Sequence, residues 1–176
     1  MKSEVLRDVD AVVVTGVYGS GKSSVVEEVA DVLEQRGSAY AAMDLDWLWW
    51  FDAGQLTRDE RRQVLMSNLS AVVDNYTAVG VERFLMAWAI ESGADLNALR
   101  ATMPMPLRVV RLTVPLDVIR SRLSSTATTA RLRDDLAIAE RWTANGTGTD
   151  LGDLEISNNR PLRQVANDIV SWLGWL

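Results

Sequence analysis

Residues 11–23 read Ala-Val-Val-Val-Thr-Gly-Val-Tyr-Gly-Ser-Gly-Lys-Ser, and the fold follows from them. Ala11 to Thr15 is an uninterrupted apolar run, the pattern of a strand buried on both faces. Gly16-Val17-Tyr18-Gly19-Ser20-Gly21-Lys22-Ser23 fits G-x-x-x-x-G-K-[ST] at every fixed position. Lys22 to Arg36 then carries Val25, Val26, Val29, Val32 and Leu33 at helical spacing, and Gly37 stops the helix. Strand, glycine loop and helix together make a phosphate-binding loop. Glycines let successive backbone N–H groups turn inward on phosphate oxygens, and the helix N-terminus adds partial positive charge. Lys22 reaches the β- and γ-phosphates, the Ser23 hydroxyl ligates Mg²⁺, and Ser24 joins the loop residues as a nucleotide-binding candidate.

Outward from the loop, strands and helices alternate. Ser38 to Met43 is a second strand, followed by the Trp-rich stretch Asp46 to Phe51. Thr57 and Glu60 form a capping box for a helix running to about Val79. Val81 to Ile90, Leu107 to Val114 and Leu154 to Ser157 read as strands. Ala94 to Thr102, Pro115 to Leu123, Arg131 to Thr143 and Pro161 to Leu173 read as helices. Ser124 to Ala130 is a small-polar tract read as a loop or frayed segment, and Asn145 to Gly152 is a turn-rich loop. Apolar strands alternating with helices predict an α/β protein, a parallel sheet covered on both faces. No repeat or linker divides the 176 residues, so one domain is expected over 1–176, with a lid segment at about 124–140.

Composition narrows the chemistry. The chain has no Cys and no His, which excludes disulfides, thiolate or imidazole metal sites and His-based triads. Proton transfer falls to Asp, Glu, Lys, Tyr or water. A net charge of −6 disfavours binding to nucleic acid, which needs a basic surface. The segment MKSEVLRDVD has no apolar core of a signal peptide, and no run nears the ~20 apolar residues of a membrane span. A cytoplasmic protein is the expectation, without nucleic acid or membrane partners, as monomer or homodimer.

Several nucleotide-binding classes fall away. No Asn-Lys-x-Asp or Asp-x-x-Gly signature of a GTP switch occurs, and Val17 stands where partitioning ATPases carry an extra Lys. The third strand ends Ala89-Ile90-Glu91 rather than in the Asp of motor ATPases. The run TGVYGSGKSSVVEEVADVLEQRG, with a second strand ending Asp44-Leu45-Asp46, resembles the small P-loop kinases of the gluconate kinase, shikimate kinase and chloramphenicol phosphotransferase group. That resemblance implies a five-stranded parallel sheet in the order 2-3-1-4-5, an Arg-bearing lid after the fourth strand, and an adenine-contacting loop after the fifth. It implies ATP and Mg²⁺ as cofactors and a small-molecule hydroxyl acceptor. The acceptor itself does not carry over: Trp47-Leu48-Trp49-Trp50 replaces the polar sequence of the sugar-acid kinases, and the third strand lacks the glycine-rich turn of shikimate kinase.

The carboxyl edge of a parallel sheet faces the ligand crevice, so Asp44 and Asp46 lie where one holds Mg²⁺ and the other accepts the hydroxyl proton. The resemblance assigns Asp46 to the hydroxyl and Asp44 to the metal, with the reverse as the alternative and a helix cap at Asp46 as the ordinary one. Arg120, Arg122, Arg131 and Arg133 flank the Ser/Thr tract. Arg131 or Arg133 is the lid candidate for charge on the transferred phosphoryl group, or else part of a solvated face with Asp134 and Asp135. Arg122 resembles the family arginine on adenine, and Asn158, Asn159 and Arg160 stand where the family cradles the base, or simply form a turn and a helix start at Pro161. Trp47 and Trp50, with Trp49 and Phe51, are a pocket wall for an aromatic or sugar-like acceptor, or a packing surface. Glu91 ends the third strand at the same edge, as an acceptor contact or a solvated strand end. Arg61 and Arg62 could meet an anionic acceptor, although a solvated helix face is the ordinary reading. Trp88, Trp172 and Trp175 read as packing residues.

The leading functional expectation is an ATP- and Mg²⁺-dependent kinase of a small hydroxyl compound. A nucleoside or nucleotide kinase, a non-enzymatic ATP-binding switch and a toxin-type kinase of a cell-wall sugar nucleotide are the competing ones.

Overall fold

The computed structural model describes residues 9–126 and 129–175, with the backbone alone at 126 and 129–131. In chain order the elements are β1 (Asp10–Thr15), α1 (Lys22–Glu34), β2 (Tyr40–Asp44), α2 (Asp46–Trp49), α3 (Arg58–Ala78), β3 (Arg83–Ala87), α4 (Gly93–Thr102), β4 (Leu107–Thr113), α5 (Leu116–Thr126), α6 (Thr129–Asn145), β5 (Leu154–Ser157) and α7 (Leu162–Leu173). The five strands pair in the order β2-β3-β1-β4-β5. Every pairing is parallel, with Val13 opposite Met86 on one side and Val109 on the other.

Alternation along β1 explains why the sheet needs two covers. Val12 and Val14 pack with Val25, Val29 and Leu33 of α1 and Val165, Ile169 and Val170 of α7. Ala11 and Val13 face the opposite way, with Leu65, Leu69 and Val73 of α3 and Leu96 and Leu99 of α4. Successive strand residues point to opposite faces, so a strand apolar at each position is stable only between two helical layers. A third, smaller cluster joins α5 and α6: Ile119, Leu123 and Ala139 pack with Val17, Val114, Leu132 and Leu136. Val17 belongs to the phosphate loop, so this helical pair sits directly on it.

Helix α3 starts as its sequence predicts. Thr57 Oγ1 accepts from the Glu60 N–H at 3.2 Å, and the Glu60 carboxylate accepts from the Thr57 N–H at 2.8 Å. Two stretches depart from expectation. β3 ends at Ala87, because the chain bends toward β1: Ile90 N–H donates to the Thr15 hydroxyl at 3.0 Å, outside the ladder. The tract at 124–130, expected as a loop, continues α5 to Thr126 and begins α6 at Thr129. Ser124 and Ser125 donate their hydroxyls back to the Arg120 and Arg122 carbonyls at 2.7 Å, which satisfies them within the helix.

Candidate active site

The loop between β1 and α1 curls over the carboxyl edge of the sheet, with φ of +78° at Gly19 and +89° at Gly21. A Cβ at Gly21 would stand 2.6 Å from the Asn158 side-chain amide. Gly21 therefore answers two demands, a left-handed backbone and close approach by a buried neighbour. Gly21→Ala should lower stability by about 1–3 kcal/mol, the cost of a strained backbone position, read as a lower urea midpoint. An unchanged midpoint would show that Asn158 does not press on the loop.

The polar residues at the loop's mouth are already drawn together. Ser23 Oγ donates to Asp44 Oδ2 at 2.6 Å, and the other Asp44 oxygen accepts from the Asp46 N–H at 3.0 Å. Between the two aspartates, Leu45 is fully buried and donates its N–H to Ala87 O at 3.0 Å. That anchor fixes both carboxylates at the sheet edge. Asp46 opens α2 as its first helical residue, with Leu45 at the N-cap, so the alternative reading of Asp46 as the helix cap does not hold.

Lys22 is buried, donates to Val17 O at 3.3 Å, and lies 5.3 Å from the Tyr18 ring centroid. Burial pushes its ammonium below the usual lysine range, against the opposing pull of Asp46, Asp44 and Asp135 of α6. An ammonium stripped of water and facing carboxylates is ready to meet anionic oxygen.

Two cavities flank the loop. The first, about 380 Å³, is lined by Gly19, Gly21, Ser24, Arg122, Leu123, Ser125, Asn158 and Leu162. Arg122 donates to Asn158 O at 2.7 Å and to Ser20 O at 3.3 Å, and Asn158 Nδ2 donates to Ser20 O at 2.7 Å. These bonds strap the loop to the end of β5. Among the described residues the Ser20 hydroxyl and the Asn158 side-chain oxygen are buried without hydrogen-bond partners. Asn159 and Arg160 are exposed, and Arg160 pairs with Asp168 of α7 at 2.6 Å. The structure thus turns Asn158, rather than its two successors, toward the loop.

The second cavity, about 620 Å³, is lined by Tyr18, Asp44, Asp46, Trp47, Trp49, Trp50 and Arg61. Trp47 and Trp50 are 70% and 71% exposed, with ring centroids 5.5 Å apart. Tyr18 is steadied from the far side by Trp142, edge to face at 6.3 Å. Glu91 pairs with Arg58 at 3.1 Å and, with Asp46 and Tyr18, lines a small adjoining recess. Trp88 is buried in the core, as is Trp175, whereas Trp172 is 37% exposed beside Arg108.

A buried carboxylate ties α3 to α4. Asp95 accepts from Arg58 and Arg62, each at 3.1 Å, and from the Ser92 hydroxyl at 3.0 Å. Burial alone would raise its pKa; bonds from Arg62 and Ser92 and the charge of Arg58 outweigh burial and hold it below the ordinary 3.8. A depressed carboxyl stabilises the fold above its unfolded pKa, and that stability is lost as pH falls through the lower folded value. Asp95→Ala should therefore cost about 2 kcal/mol near neutrality, with the gap to the parent chain closing once acid protonates Asp95. Urea titrations at several pH values check this; a gap independent of pH would contradict it.

Arg120 pairs with Glu140 at 2.7 Å, linking α5 to α6. Arg133 is exposed on α6. The Arg131 side chain lies outside the described residues.

The donor set fits magnesium bound together with phosphates. Among the described residues no cluster of three or more acidic side chains forms a complete metal cage. Ser23 and Asp44 instead offer two oxygens 2.6 Å apart beside the loop, the partial set that Mg²⁺ takes when phosphate oxygens and waters complete its shell.

No family model matches the sequence, and no curated relative matches it. Solved structures do match. A sugar kinase from Janibacter sp. HTCC2649 is 22% identical with a TM-score of 0.65, covering 94% of this chain and 95% of its own. A gluconokinase from Sinorhizobium meliloti 1021 is 20% identical with a TM-score of 0.62, covering 96% and 94%. The APS kinase of Mycobacterium tuberculosis, in complex with AMPPNP and APS, is 21% identical with a TM-score of 0.65, covering 95% and 98%. At these identities the likeness is one of fold: the chain has the α/β fold of the small P-loop kinases, with the sheet order that the resemblance implies.

Proposed function

We propose that this chain is an ATP- and Mg²⁺-dependent phosphotransferase that moves the γ-phosphoryl group to a hydroxyl of a small-molecule acceptor. One observation carries the reading. The phosphate loop has a cavity on each side, and Lys22, Ser23, Asp44 and Asp46 gather at its mouth. A nucleotide seated on the loop would place its base toward Arg122 and Asn158 and its terminal phosphate toward Lys22. Ser23 and Asp44 would hold Mg²⁺, which when bound neutralises charge on the phosphate oxygens.

The acceptor hydroxyl enters from the Trp-lined side. Its oxygen forms a bond to the γ-phosphorus as the bond to the bridging oxygen breaks, and ADP leaves. The hydroxyl proton passes to a carboxylate. Asp46 lines both the Trp-side cavity and the recess beside it, whereas Asp44 lines only the first and bonds Ser23, which supports Asp46 as the acceptor of that proton. Arg131 and Arg133, carried on α6, supply cationic charge for the equatorial oxygens when the lid closes. Glu91 is proposed to border the acceptor through the recess it shares with Asp46. Asn159 and Arg160 are proposed to edge the base from outside the strap. Among the described residues no helix is long and apolar enough to cross a membrane.

The test is ADP release with Mg²⁺ and ATP against hydroxylated metabolites, nucleosides and antibiotics. Acceptor-dependent release is expected. Tight ATP binding with no release across the panel would point to an ATP-binding switch.

A further inference from the structure

Three arginines of α3 stand side by side, and their surroundings differ. Arg58 is neutralised by Glu91 and Asp95, and Arg62 by Asp95 and Asp59. Arg61 has no carboxylate partner among the described residues. It donates one N–H to Phe51 O at 2.6 Å, and its guanidinium carbon lies 5.0 Å from the Phe51 ring centroid and 5.9 Å from that of Trp49. Arg61 lines the 620 Å³ cavity, and its guanidinium carries further N–H donors beyond the one given to Phe51 O. A planar fork held by stacking is preorganised for a two-oxygen anion.

Trp47 and Trp50 line the same cavity and keep about seven-tenths of their surface in water. Two large apolar rings left open beside a cleft are unusual for a folded surface and mark a ligand face. Their centroids lie 5.5 Å apart with the ring planes 35° from one another, so each ring can give a flat body a stacking face. The cavity is within the range that holds ligands of drug size.

Resting on the phosphotransferase reading, we infer that the acceptor is a planar aromatic anion: an alcohol whose ring system lies on Trp47 and Trp50, and whose carboxylate or phosphate meets Arg61, with its hydroxyl at Asp46. Carboxylate and phosphate share the chemistry that Arg61 recognises, and comparison compounds separate them.

The probes are para-(hydroxymethyl)benzoate, its carboxamide, para-(hydroxymethyl)phenyl phosphate, and the saturated ring analogue para-(hydroxymethyl)cyclohexanecarboxylate. Binding is read first, by calorimetry and Trp fluorescence with the non-hydrolysable nucleotide AMPPNP present, so the result stands apart from turnover. One or both aromatic anions should bind about 10-fold or more tightly than the carboxamide and the saturated acid, the scale of one lost charge-assisted bond. Arg61→Ala should erase the preference for anion over carboxamide while leaving AMPPNP affinity unchanged. Arg61→Lys should restore it only in part, because the fork is lost. Trp47→Ala with Trp50→Ala should erase the preference for aromatic over saturated rings. Equal binding of acid and carboxamide, or of aromatic and saturated rings, in the parent chain overturns the inference. Selective binding without ADP release would uphold this class of ligand at the site and overturn the phosphotransferase reading.

Discussion

Lys22→Ala is expected to lower kcat/KM for ATP-dependent transfer by about 10²–10³-fold, the loss seen when one preorganised donor to a developing charge is removed. The size follows from where the ammonium is kept. Lys22 is buried at the loop and faces Asp46, Asp44 and Asp135, so its charge is poorly screened and acts strongly on any phosphate oxygen placed beside it. The fold should survive, because the stem contributes no ion pair to the core and the alanine keeps helix propensity at the first turn of α1. Thermal unfolding and steady-state ADP release measured together check both halves. Full activity in Lys22→Ala would remove the loop from the chemistry.

The second large effect is expected at Asp46. Asp46→Asn keeps the side-chain shape and the backbone N–H that Asp44 accepts, but it removes the proton-accepting carboxylate. A drop of about 10²–10⁴-fold in kcat is expected, the usual worth of general-base catalysis, with nucleotide affinity unchanged. Asp44→Asn should behave differently, weakening Mg²⁺-dependent nucleotide binding through the oxygen shared with Ser23. Single-turnover kinetics beside calorimetry separate the two. If Asp44→Asn loses only kcat while Asp46→Asn loses nucleotide affinity, the two roles are reversed.

How far these residues could be read from sequence depends on how local their signals are. The loop, its flanking strand and helix, and the capping box of α3 each lie within a few consecutive residues, so spacing alone locates them. The five strands were visible as apolar runs, although bends at the ends of β3 were not, because they depend on Thr15 meeting Ile90 across 75 positions. Asn158 is a sharper case. Its role as a brace comes from a bond to Ser20 across 138 positions, and nothing beside it in sequence distinguishes it from Asn159. Arg61 and Arg62 are adjacent and chemically identical. About 100° of helical rotation sends one to the Asp95 pair and the other between two rings. Only the docking of α3 against α4 and the Trp-rich turn decides which is which. The small-polar tract at 124–130 misled because Ser and Thr favour turns by bonding nearby backbone, and in α5 those same hydroxyls bond back within the helix.

The most direct test of the central claim follows the phosphoryl group itself. ATP labelled at the γ-position, mixed with Mg²⁺, excess enzyme and the aromatic hydroxy acid of the acceptor panel, should yield labelled phosphoester in a single turnover, with far less formed by Lys22→Ala or Asp46→Asn. Label that stays in ATP, or appears only as inorganic phosphate at a rate indifferent to the acceptor, would contradict the account.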